Sequence, residues 1–277
     1  MSRNPQILYN SILPLGDVAM STASAPAVAE HAVTPFTYET ARYNIFSGTR
    51  IANFTWESRS SEAVSVNGAG LLIRGAFFSD LGVLTGEVAP VLGSVELRGS
   101  HDGSTWETVH VYDGLHSGAN YFSFDEVSFP RYRFIINVSD PLPSQGAFPG
   151  IEVSLVNIML GQRLEFERPI IRTHDPLPLN RTTEYQTNLS GNGQFLGRSI
   201  SRRGVATSVD IPMMSREFAR GPFQEFVEHA QRYPYYFSWN EALYPGDAGY
   251  VWTDEDIQTG YSGDGSLMSA SWNMRGF

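Results

Sequence analysis

The chain has 277 residues, 42% hydrophobic, 13% aromatic and 17% charged, with 26 glycines, 16 prolines and no cysteine. Such a composition is globular and turn-rich, excludes disulfides and thiolate metal sites, and favours β architecture over a helical bundle. A formal net charge of −10, with arginine as the only basic residue besides histidine, argues against gripping a phosphate backbone, yet suits a surface that nucleic acid slides past without sticking.

The opening stretch MSRNPQILYNSILPLGDVAM lacks a basic region followed by an unbroken apolar core, which predicts no secretion by that route. Apolar runs stop well short of the roughly 20 residues that a membrane span requires. QILYNSIL, residues 6 to 13, reads as a first strand. Between residues 50 and 160 short β-rich runs alternate with turns: RIANFTWES, AVSVNGAGLLIRGAFFS, GSVELRGS, STWETVHVYD, NYFSFDEV, RYRFIINV and IEVSLVNIMLG. Several strands at such close spacing predict a sandwich or barrel. In SVELRGS, Val95 and Leu97 alternate with polar neighbours, and Asp102-Gly103 in HDGSTW supplies the turn to the next strand.

The style changes near Gly161, where a second domain of residues 161–277 is placed after a first of residues 1–160. A loop-rich lead runs into GQFLGRSISRRGVATSVDIPMM, which reads as two strands joined at RRG. One helix follows: Pro222 suits its first turn, Phe223, Phe226, Val227 and Ala230 share a face, and Pro234 ends it. YYFSW is then a strand, followed by an acidic loop and a final strand, SLMSASWNMRGF. In that strand Met268, Ala270, Trp272 and Met274 share one face, and Leu267, Ser269, Ser271 and Asn273 the other.

Candidate chemistry is sparse. Trp56 and Trp106 either plug a sandwich core or stack on a sugar, and Asp102-Gly103 is either a hairpin turn or part of a ligand loop. Asp254, Glu255 and Asp256 are consecutive, so their side chains diverge and form a solvated loop rather than a cation site. The six histidines show no metal spacing, no glycine-rich phosphate loop precedes a helix, and no paired carboxylates or nucleophile motif appear. The expectation is a protein with no enzymatic activity and no cofactor or metal. Arg198, Arg202 and Arg203 form a local basic group that is either a solvated hairpin tip, an intersubunit partner for acidic residues, or a lumen lining.

Two resemblances follow from these stretches. VELRGSHDGSTWETV followed by RYRFIINV resembles the discoidin, or factor V/VIII type C, family of galactose-binding-like jelly rolls. It implies a jelly-roll β-sandwich, without the paired cysteines of that family's secreted members. Any glycan site it implies would draw on Trp56, Arg98, Asp102, Trp106 and Arg131. GQFLGRSISRRGVATSVDI, FVEHAQRYPYYFSW, YVWTDEDI and MSASWNMRG resemble distal-tail or baseplate proteins of tailed bacteriophages. That likeness implies a tail-tube-like split β-barrel with one α-helix, assembled as a ring, six copies being the family's number. It places the protein in the virion, with itself, tail tube, baseplate hub and tail fibres or receptor-binding proteins as partners, and DNA passing the lumen unbound. The residues it puts at the ring interface are Arg198, Arg202, Arg203, Phe223, Phe226, Trp239 and Trp272. The alternative is a carbohydrate-binding module in which the sandwich does the work.

Overall fold

The computed structural model describes residues 4–21, 29–35, 41–45, 51–78, 84–88, 92–139, 151–169, 177, 181–262 and 265–277. The chain is mainly β and antiparallel, and divides into two compact units. Unit 1 is Ile7–Leu164, and unit 2 is Glu165–Phe277 with the N-terminal stretch ending at Gln6.

Unit 1 contains β1 (Gln6–Ser11), β2 (Gly16–Ser21), β3 (Ala41–Ile45), β4 (Ile51–Ser58), β5 (Val64–Phe78), β6 (Leu84–Val88), β7 (Leu92–Ser100), β8 (Glu107–His116), β9 (Gly118–Phe129), β10 (Arg131–Ser139) and β11 (Ile151–Glu165). They form a two-sheet sandwich. One sheet has the order β2-β4-β10-β7-β8; in the other β1, β11, β5 and β6 are successive neighbours, with β3 on β11 and β9 on β5. The pleat explains which residues face the core. In β10, Tyr132, Phe134, Ile136 and Val138 are buried, whereas Arg131, Arg133, Ile135 and Asn137 between them are only partly so. Ala52, Phe54 and Trp56 of β4 and Val95 and Leu97 of β7 join the inward set and meet Leu71, Ile73, Phe122, Val153, Leu155 and Ile158 of the other sheet. Full burial of a side chain of phenylalanine size contributes about 2–3 kcal/mol, which lets a chain without disulfides hold this fold.

β11 runs on without a break through Gly161 to Glu165. A Cβ at Gly161 would lie 2.0 Å from the Asn10 carbonyl oxygen, so glycine here permits close approach of the β1 backbone.

Unit 2 contains β12 (Arg181–Leu189), β13 (Phe195–Met214), α1 (Arg216–Arg220), α2 (Pro222–Ala230), β14 (Tyr235–Ser238), β15 (Ala248–Thr253), β16 (Gln258–Ser262) and β17 (Leu267–Gly276). Its strands follow the path β12-β13-β17-β15-β14, with β16 on β17; no closed barrel forms among the described residues. Helix α2 begins at Pro222 as the sequence predicts, but α1 precedes it, started by Ser215, whose Oγ accepts from the Phe218 amide at 3.1 Å. The expected break at RRG is absent: β13 is one strand of 20 residues, extended through Gly204. The turn lies earlier, at Ser190–Gln194, where Gly193 adopts φ +78° and its amide donates to the Ser190 carbonyl. The lead before it contains β12, and the acidic loop separates two further strands, β15 and β16.

The register exposes an unusual feature of this unit. Val205 pairs with both Arg181 of β12 and Gly276, the last residue of β17. Among the described residues, 195–204 of β13 therefore pair only with β12, and the two form a two-stranded ribbon that projects beyond the end of β17.

Candidate binding face of the sandwich

The β7–β8 hairpin ends in a tip fixed by its own side chains. Asp102 Oδ1 accepts from the Ser104 and Thr105 amides, both at 2.8 Å, and Oδ2 accepts from Ser104 Oγ at 2.7 Å. Ser100 Oγ donates to Asp102 Oδ1 and accepts from the Gly103 amide, with Gly103 at φ +78°. These bonds, led by that from Thr105, hold the Asp102 carboxyl well below the usual carboxylate range. Both oxygens serve the turn, so Asp102 positions the loop.

Arg131 is likewise engaged. Its Nε donates to Glu57 Oε1 at 2.8 Å, and Nη1 donates to the His101 carbonyl at 3.1 Å, tying the tip to β10 and β4. Trp56 is a correction to the glycan-site expectation: it is fully buried, donates from Nε1 to the Leu13 carbonyl at 3.2 Å and packs 5.9 Å from the Tyr132 ring. A tryptophan on an inward position of β4 fills the core and is unavailable to a sugar.

Trp106 differs. It is partly exposed, donates from Nε1 to the Gly103 carbonyl at 3.2 Å, and carries the Arg133 guanidinium 3.8 Å from its ring centre. Arg133 pairs across the sheet with Arg98, which faces Thr108 in turn. Arg98 Nη2 donates to Glu96 Oε2 at 2.8 Å, and Thr108 Oγ1 donates to Glu96 Oε1 at 2.6 Å. These bonds, that from Arg98 first, hold the Glu96 carboxyl below its ordinary value. The Nε atoms of both Arg98 and Arg133 are buried and lack a hydrogen-bond partner among the described residues. The guanidinium of Arg133 has no acid opposite it there at all.

The structure thus gathers Arg98, Asp102, Trp106 and Arg131 at one end of the five-stranded sheet and its outward face, and removes Trp56 to the core. It adds Arg133, Glu96 and Thr108. Arg133 was legible in RYRFIINV, where period two places it beside Arg131 and opposite Tyr132 and Phe134; its meeting with Trp106 was not.

The residues expected at a ring interface divide sharply. Phe223 and Phe226 are fully buried and Trp272 is 5% exposed, all in the core of unit 2 with Phe166 and Tyr235, so they do not form an interface. An amphipathic helix has turned its apolar face onto its own sheet. Trp239 is partly buried, with its amide 3.5 Å from the Asp247 carbonyl. Arg198 is exposed on the ribbon, 4.5 Å over the Tyr185 ring, while Arg202 and Arg203 lie on β13 opposite Glu184 and Thr183. Among the described residues no three His, Asp or Glu side chains are grouped to hold a metal ion, and no helix is long and apolar enough to cross a membrane.

No protein-family model matches the chain, and no curated protein matches it. Solved structures do. A chitosan-binding module of a chitosanase/glucanase from Paenibacillus sp. IK-5 is 17% identical, with TM-score 0.38, over 55% of this chain and 98% of that one. A module from Clostridium perfringens solved with GalNAc-β-1,3-galactose is 11% identical, with TM-score 0.37, over 56% and 99%. A pectin-binding module is 9% identical, with TM-score 0.33, over 52% and 91%. These structural neighbours are carbohydrate-binding modules, at a level of likeness that transfers no ligand to this chain.

Proposed function

We propose that unit 1 is a non-catalytic carbohydrate-binding domain whose ligand lies on the outward face of β10, β7 and β8, around Trp106 and Arg133. The observation that carries this reading is the Arg133 guanidinium, which has no acidic partner among the described residues and stacks on a partly exposed indole. A flat aromatic surface receives the apolar face of a sugar ring, and the forked donors of Arg133 and Arg98 receive its hydroxyl or carboxylate oxygens. The Asp102 turn and the Arg131–Glu57 pair hold the rim, so little ordering accompanies binding. The test is a glycan array followed by calorimetry on the best ligand. Arg133→Ala and Trp106→Ala are each expected to weaken binding by about tenfold or more at unchanged melting temperature. Retention of no glycan, or full affinity in both variants, sinks the reading.

The projecting ribbon of unit 2 favours a second reading, in which the chain is a ring-forming component of a phage tail tip. There the partners are further copies of the chain, tail tube and baseplate hub proteins, and tail fibres or receptor-binding proteins. DNA crosses the lumen unbound, and the location is the virion. Negative-stain images of the purified chain test it: closed rings with a lumen wide enough for duplex DNA support the reading, and isolated particles at every concentration oppose it.

A further inference from the structure

Resting on the second reading, we propose that the β12–β13 ribbon docks into an acidic notch on unit 2 of a second copy of this chain, head to tail. The ribbon poses a physical problem by itself. An isolated two-stranded hairpin is marginal in water, and this one extends residues 182–189 of β12, roughly 26 Å, with no third strand alongside it in unit 2 among the described residues. Its end is apolar: Leu189 is 59% exposed, Phe195 64% and Leu196 66%, with Tyr185 at 52% further down. The pairing of Thr187 with Arg198 and of Leu189 with Phe195 places Tyr185, Arg198, Leu189 and Phe195 on one face. An apolar tip on a face that bears the exposed Arg198 is what a partner surface must complement.

Unit 2 itself carries the complement. A notch of about 350 Å³ is lined by the polar Gln231, Thr253, Asp254, Glu255 and Asp256 and by the apolar Val227 and Ile257. Asp254 is occupied by Arg275 at 2.7 Å and by the Trp252 indole at 3.2 Å. The exposed carboxylates of Glu255 and Asp256 have no ion-pair or side-chain hydrogen-bond partner among the described residues. The exposed acids of Glu255 and Asp256 match the exposed Arg198 of the ribbon, and Val227 and Ile257 offer its tip an apolar contact; charge attraction of this kind sets register and orientation between partners.

The register also shows why the two surfaces meet between molecules. Residues Val251 to Thr253 of β15 lie opposite Gly276 to Met274, so the chain entering the notch at Asp254 runs toward the start of β17. The ribbon leaves past the other end of β17, at Gly276. Ribbon and notch therefore diverge along the same strand, and a copy that offers one accepts the other. Such a contact uses two different patches and propagates as a ring or filament.

The absence of cysteine makes the test clean. Full-length Leu196→Cys protein is mixed with full-length Asp256→Cys protein and oxidised. The expected product is a disulfide dimer formed from the mixture and not from either variant alone, and a ladder of oligomers from the double variant. In light scattering, Arg198→Glu should weaken self-association by about tenfold, and Asp256→Arg in the same chain should restore it. Circular dichroism should show every variant folded. A chain that associates without this cross-link overturns the interface while leaving assembly standing. A chain that stays monomeric at its highest soluble concentration overturns both.

Discussion

The hairpin of β7 and β8 and the hairpin of β12 and β13 both turn on a glycine at φ +78°, Gly103 and Gly193. Around Gly103, Asp102 and Ser100 satisfy the local amides, and Arg131 from β10 ties the tip down through the His101 carbonyl. Behind it, Gly99 abuts the Phe129 ring, so the tip stands on the aromatic core. Around Gly193 the turn is closed by Ser190 and Gln194, and among the described residues no atom beyond its chain neighbours lies within 4 Å of where a Cβ would be. Turn chemistry reverses the chain in both places. A third strand and a core behind the tip, present in one and missing from the other, make a rigid presentation surface in the first case and a ribbon in want of a partner in the second.

If the first hairpin draws its rigidity from the core, removing the core should be the largest effect. Trp56→Ala is expected to cost about 3–5 kcal/mol in the unfolding of unit 1, read by denaturant titration, because the Gly16 backbone and Tyr132 close on the indole too tightly to refill the space. Alkaline pH should act in the same corner more gently. Tyr132 donates to the Val64 carbonyl at 2.6 Å and accepts from the Phe129 amide at 3.0 Å, and burial pushes its pKa up to about 12. The unfolded chain gives up that proton near pH ~10 while the folded chain keeps it. Its contribution is thus complete below ~10 and is lost as pH rises toward about 12, by at most about 1.4 kcal/mol per pH unit. Tyr132→Phe should flatten that share of the slope; the remainder belongs to Tyr235, Tyr236 and Tyr250, which burial shifts upward likewise.

The smallest effect separates the hairpins most directly. Gly103→Ala and Gly193→Ala impose the same left-handed strain, about 1–2 kcal/mol locally. The Gly103 change should appear as a lower melting temperature, because its tip is tied into the sheet. The Gly193 change should leave melting within error and appear only as faster amide exchange along the ribbon. Equal effects on melting would erase the distinction between the two.

Alternating patterns were readable in the sequence wherever one face of a strand meets a core. RYRFIINV and SVELRGS report their inward residues directly, and in the final strand Ala270, Trp272 and Met274, which the sequence put on one face, are all buried. Patterns confined to a two-stranded ribbon had no core to imprint them: RTTEYQTNL is mostly polar, with Tyr185 and Leu189 its only large apolar residues, and read as part of a loop-rich lead. At RRG, Gly204 suggested a turn, but its neighbour across the ladder keeps it extended, and the chain reverses at SGNG, where Gly193 takes φ +78°. α1 is five residues long, too short for a helical period to register. The candidate binding face was half visible. Spacing put Arg131 and Arg133 on one side, while the seat of Trp106 beneath Arg133 depends on a chain reversal that local sequence does not encode.

The pairing of β1 with β11 has a consequence during synthesis. Ser11 and Leu160, brought together there, are 149 residues apart, and Asn157 reaches the Thr34 carbonyl across 123. At about 5–20 residues per second, the first strand waits on the order of ten seconds on the ribosome before its neighbour exists. Through that interval an apolar strand containing Ile7 and Leu8 stands without its lateral partner, a natural client for a chaperone. β1 is made long before the strand that secures its edge.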